Sequence, residues 1–135
     1  MKNLITYMGI VCMLGAYVLG AEPVTVKGLN GSWCKSTAEH EIEFTFKDST
    51  LVITLKRGGD KLVVDCDVAV GREGRVFGTV VQVTEGGIQG GGDKGDLFGF
   101  KFQIKGDSIQ VNDLRGTNVN EGARNLVEGE FKKKL

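Results

Sequence analysis

Little in this chain can serve as a catalytic centre, because it carries one histidine, three cysteines and one tryptophan in 135 residues. A single His40 has no second imidazole to share a metal, and as a general base it would need a nucleophile and an orienting acid within hydrogen-bond reach. Cys34 is the nearest nucleophile in sequence, but a histidine at the start of a strand near a barrel rim is the plainer reading. His40, Cys34 and Cys66 follow no zinc-ligand spacing, so neither a metal nor a cofactor is expected. Excess charge is also missing: 17 basic residues balance 17 acidic ones. With no net field to draw nucleic acid or an anionic membrane, both are excluded as expected partners. The run Lys132-Lys133-Lys134 is read as a solvated tail.

The one long apolar run lies at the N-terminus. Lys2 precedes an almost unbroken apolar stretch, LITYMGIVCMLGAYVL, from Leu4 to Leu19, and Gly20-Ala21 supplies small residues before Glu22. A charged start, an apolar middle and a small-residue end are the marks of a secretory signal peptide over residues 1–21. The alternative is an uncleaved anchor. Cleavage leaves residues 22–135 as a single domain, secreted or periplasmic, with no membrane span and a net charge near zero. Cys34 and Cys66 then sit in a compartment that permits a disulfide. Strand parity sets them apart, since Cys66 alternates with Leu62, Val64 and Val68 while Cys34 alternates away from Trp33.

Period-two alternation recurs along this domain and predicts an all-β fold. Ile42, Phe44 and Phe46 share one face, then Leu51, Ile53 and Leu55, then Leu62, Val64, Cys66, Val68 and Val70. Phe77, Val81 and Val83 are assigned to a further face, followed by Phe98, Phe100, Phe102 and Ile104, and then Ile109 and Val111. With the strand of Trp33 and a last strand over Leu126 to Lys132, the count is eight. Short turns imply an antiparallel up-and-down meander, and closure into a barrel removes both edges. Helix has room only near Asn118 to Asn125, where an asparagine can cap one turn and Gly122 opposes it.

Leu29-Asn30-Gly31-Ser32-Trp33 resembles the L-x-G-x-W opening of lipocalin-like, calycin-type barrels, and the chain is similar to small secreted bacterial members of that group. The resemblance implies a tryptophan that closes one barrel end beneath a basic side chain from the last strand, a role assigned to Lys132 or Arg124. It also implies an interior able to hold a small apolar molecule.

Between Glu85 and Gly99 the chain reads EGGIQGGGDKGDLFG. Gly90, Gly92 and Gly95 satisfy the spacing of a dinucleotide-binding loop, but a strand-like segment follows where a helix N-terminus is needed. A phosphate-binding Walker loop fails because Gly95 follows Lys94. A calcium-binding nonapeptide fails at Lys94, where glycine is required, and no second copy stacks on it. The stretch is expected to be a long connection lying over a barrel mouth. The pairs Glu41/Glu43 and Asp65/Asp67 resemble the carboxylates of glycoside hydrolysis only in number; on alternating strands they form a solvated outer face.

The expected function is therefore non-catalytic. Bulky inward rings favour a filled barrel that acts through its surface on a partner such as an envelope protein. The alternative is a carrier of a small apolar ligand, with Trp33, Phe44, Phe46, Phe77, Phe98, Phe100 and Phe102 as the ligand-binding residues.

Overall fold

The computed structural model describes residues 26–134, so the leader-like segment lies outside the described residues. Eight strands in meander order close into one antiparallel barrel: β1 (Gly31–Ser36), β2 (Glu41–Lys47), β3 (Thr50–Arg57), β4 (Asp60–Val70), β5 (Arg75–Gly86), β6 (Leu97–Lys105), β7 (Ser108–Gly116) and β8 (Gly129–Lys133). β1 pairs with both β2 and β8, which removes the free edges. A short helix, α1 (Val26–Leu29), precedes β1, and a second, α2 (Glu121–Val127), separates β7 from β8. Among the described residues no helix is long and apolar enough to cross a membrane.

In such a meander the connections fall alternately at two ends. The base carries α1, the tight β2–β3 and β6–β7 turns and a single 3-10 turn at Arg72–Gly74. The mouth carries the long connections: residues 87–96 after β5, and residues 117–128 with α2 after β7.

The base is filled by rings. Phe44 stacks on Phe131 with centroids 4.5 Å apart, and it meets Phe46 edge-on at 6.2 Å and Phe100 at 5.9 Å. Trp33 is 1% exposed, and its indole Nε1 donates to the Leu29 carbonyl at 2.8 Å. Above the indole lies the ammonium of Lys133, 5.3 Å from the ring centroid. Trp33 and Lys133 are direct cross-strand partners. The basic cap is thus Lys133 and not Lys132 or Arg124, because only Lys133 shares the inward parity of Phe131 on β8. Gly31 makes the approach possible: its φ is +123°, and a Cβ there would stand 3.3 Å from Lys133 Cε.

Two bulges reset the alternation. Between β4 and β5 the pairing moves from Asp65↔Gln82 to Cys66↔Val80, so Val81 is an extra residue and turns outward, 40% exposed. Val76 and Val80 face inward before the bulge and Val83 after it, whereas Phe77 is 52% exposed on the outer face. Phe77 and Val81 are therefore corrections to the expected inward set. A bulge changes which parity is buried, and a strand apolar at both parities does not reveal the change. On the outside the Phe77 ring lies across Gly71 and Gly99, whose missing side chains leave space for it. The second bulge places Asp113 at φ +54° in β7, where Arg75 and Arg115 bind its two carboxylate oxygens at 2.7 and 2.9 Å. Those two bonds hold the Asp113 carboxyl down at about 2. Beyond it Leu114 turns inward, 5% exposed.

Candidate functional site: an apolar cavity at the barrel mouth

On β2 the inward row carries its rings towards the base, and the inward rows of β3 and β4 carry no ring at any level. β2 presents Phe46, Phe44 and then Ile42; β3 presents Leu51, Ile53 and Leu55; β4 presents Val68, Cys66, Val64 and Leu62. The mouth half lacks the base's density of rings, and branched aliphatics leave there a cavity of about 450 Å³. That volume lies within the range of small-molecule sites, roughly 300–1,000 Å³.

The wall is apolar: Ile53, Leu55, Val64 and Val80 from the strands, with Phe98 and Phe100 from β6. Across the top lie Val119, Ala123, Leu126 and Val127, contributed by α2 and the segment before it. The sequence signals this helix only in part. Asn120 caps it as expected, its Oδ1 accepting from Ala123 N at 2.9 Å, but the helix runs through Val127. Leu126 therefore belongs to α2 and not to the last strand, which begins at Gly129. The spacing of Val119, Ala123, Leu126 and Val127 is that of one helix face, and it is the signal that could have placed them over the barrel.

The glycine-rich connection forms another side of the mouth. Ile88, 6% exposed, anchors it in the core. Gly91 lies against the inner face of β4 with φ +79°, and a Cβ there would come within 2.9 Å of Val64 Cγ2 and 3.1 Å of Leu62 Cδ2. The loop thus closes over side chains, and its glycines serve that approach. Gly91→Val should displace it, since a β-branched residue is strained at positive φ and would strike β4. Far-UV circular dichroism should remain that of the barrel while affinity for a cavity ligand falls at least about tenfold. Unchanged affinity would mean that the loop forms no part of the site.

Of the seven residues expected to bind a ligand, Phe98 and Phe100 line the cavity. Trp33, Phe44, Phe46 and Phe102 are buried but outside the cavity wall, in the packed half beneath it. Phe77 lies outside the barrel. Leu114, Val119, Ala123, Leu126 and Val127 are wall residues that strand alternation misses, the first because of the Asp113 bulge and the rest because a helix brings them in.

Chemically the cavity offers burial and little else. No polar or charged side chain is buried among the described residues. Its one deep heteroatom group is the Cys66 thiol, which burial, followed by the charges of Asp65 and Asp67, pushes up to about 12. A thiol that stays protonated packs and does not attack. Cys34 and Cys66 are both free, Cys66 inside the barrel and Cys34 on the opposite parity. Burial, and next the charge of Glu43, also raise the Cys34 thiol. Cys34, Glu41 and Glu43 bring their ligating atoms within 4.8 Å of one another, but Lys134 already pairs with Glu43 at 3.3 Å. His40 is held by a local turn in which its backbone N donates to Thr37 Oγ1 at 3.0 Å. Asp65 and Asp67 stand on the outer face of β4.

Comparisons with protein-family models, with curated proteins and with solved structures find no match to this chain.

Proposed function

We propose that this protein is a non-catalytic carrier that takes one small apolar molecule into the mouth-side cavity and works outside the cytoplasm. The single observation that carries the reading is the cavity of about 450 Å³ with its aliphatic and aromatic wall. Water held in such a space needs two to four polar partners, and this wall supplies almost none at depth. Displacing poorly held water with an apolar group is favourable. The leader-like residues 1–21 support the location, and kinship with lipocalin-like barrels is supported by the buried Trp33 under Lys133.

A thermal-shift screen of retinoids, aliphatic alcohols and small aromatic compounds tests the reading. A ligand at a hundredfold excess over its Kd should add about 2.7 kcal/mol to the unfolding free energy. Ile53→Trp, which fills the cavity from β3, should abolish the shift while the variant still folds. A shift retained in Ile53→Trp would place the ligand elsewhere.

A second reading, action through the outer surface on an envelope protein, has its own support. Phe77 and Leu97 are 52% and 61% exposed on the outside of β5 and β6, and Val81 stands on the same side at 40%. An envelope protein whose capture survives Ile53→Trp but is lost on reversing the charges of Glu41, Glu43, Asp65 and Asp67 would favour it.

A further inference from the structure

Among the described residues Asp96 is the only charged one in the cavity wall. It ends the glycine-rich connection, one residue before β6, and is half-buried at the mouth. Its Oδ2 accepts from Asn118 Nδ2 at 2.6 Å and from the Asp93 backbone N at 2.8 Å. Those two bonds, the Asn118 one foremost, lower its pKa and keep it an anion. Among the described residues Oδ1 accepts no hydrogen bond, so one carboxylate oxygen remains available beside an apolar space.

No cation balances it from the wall. Lys35, the inward lysine of β1, gives its ammonium to the carbonyls of Glu128 at 2.6 Å and Asn125 at 3.3 Å, at the end of α2. Arg124 spends its Nε on the Leu114 carbonyl at 3.2 Å. Lys94, two residues before Asp96, is exposed and outside the wall. A ligand whose tail fills the cavity would thus leave its head beside an anion with a free acceptor and no lysine or arginine. An ammonium or hydroxyl head can donate to Oδ1, and bonds to an ionised acceptor are stronger than neutral ones. A carboxylate head would meet like charge there, with only the neutral amides of Gln89, Asn118 and Asn120 in the wall as side-chain donors and no cation to offset the repulsion.

We propose that Asp96 selects ligands by their head group, admitting apolar molecules that end in an amine or hydroxyl and rejecting fatty-acid anions. This rests on the carrier reading and names the ligand class of the same cavity.

Three probes with one tail, decylammonium, decanol and decanoate, separate the possibilities when titrated calorimetrically at pH 7 below their micelle-forming concentrations. Decylammonium should bind at least about tenfold more tightly than decanoate, with decanol between them. Asp96→Asn should weaken decylammonium about tenfold and leave decanol within about twofold. Ile53→Trp should abolish binding of all three, which excludes adsorption of the cation to surface carboxylates. Decanoate binding as tightly as decylammonium, or a ratio unchanged in Asp96→Asn, would overturn the selection while leaving the carrier intact. Equal loss of decanol and decylammonium in Asp96→Asn would also overturn it, since Asp96 would then serve only to hold Asp93 and Asn118 in place. Failure of all three probes to bind, with no shift in the wider screen, would remove the carrier reading itself.

Discussion

Phe100→Asp should not fold. Phe100 is 1% exposed, with the rings of Phe44 and Phe98 at 5.9 and 6.4 Å. Losing a buried phenyl ring costs about 3–5 kcal/mol. A carboxylate in its place adds several kcal/mol more, because it would lose its hydration among the Phe44 and Phe98 rings, where no buried polar or charged residue stands among the described residues. Together these approach or exceed the whole stability of a typical domain, about 5–15 kcal/mol. The control is Phe77→Asp on the neighbouring strand. Its ring is half in solvent, so the cost should stay near 1 kcal/mol, most of it lost contact with Gly71 and Gly99. Urea unfolding followed by circular dichroism separates the two. A cooperative transition in Phe100→Asp, or none in Phe77→Asp, would reverse the assignment of inner and outer faces.

The second large effect belongs to the base of the barrel. Trp33→Ala should cost about 3–5 kcal/mol, which for a domain of this size lowers Tm by at least about 12 °C. Three contributions are lost together: the buried ring, the bond from Nε1 to the Leu29 carbonyl, and the seat of the Lys133 ammonium. Two milder variants apportion them. Trp33→Phe keeps a ring but leaves the Leu29 carbonyl unpaired, a loss of about 1–3 kcal/mol. Lys133→Met removes the cation over the ring and should cost no more than about 1 kcal/mol at this partly exposed site. A Trp33→Ala loss below about 1 kcal/mol would mean that the indole does not close the base.

Alternation located the strands where one parity is apolar and the other is not. Ile42, Phe44 and Phe46 face inward as expected, and so do Leu62, Val64, Cys66 and Val68. In β5 the same rule fails, because Val76 and Val80 compete with Phe77 and Val81 and hydropathy alone does not rank them. The outcome depends on the bulge at Val81 and on the glycines that receive the Phe77 ring outside. The candidate site was less legible still. Phe98 and Phe100 were within reach of strand parity, but much of the wall comes from a two-turn helix and a glycine loop whose positions depend on what they pack against.

The sequence by itself determined the strand order, the closed barrel and the tryptophan at its base, because each rests on patterns local to a strand or turn: period-two burial, short connections and the Leu29 to Trp33 stretch. Only the tertiary structure decided that the barrel is filled at one end and open at the other. That difference arises where eight inward rows meet, rings against rings at the base and branched aliphatics under α2 at the mouth, and a volume left between side chains from distant strands is written in no single segment of the chain.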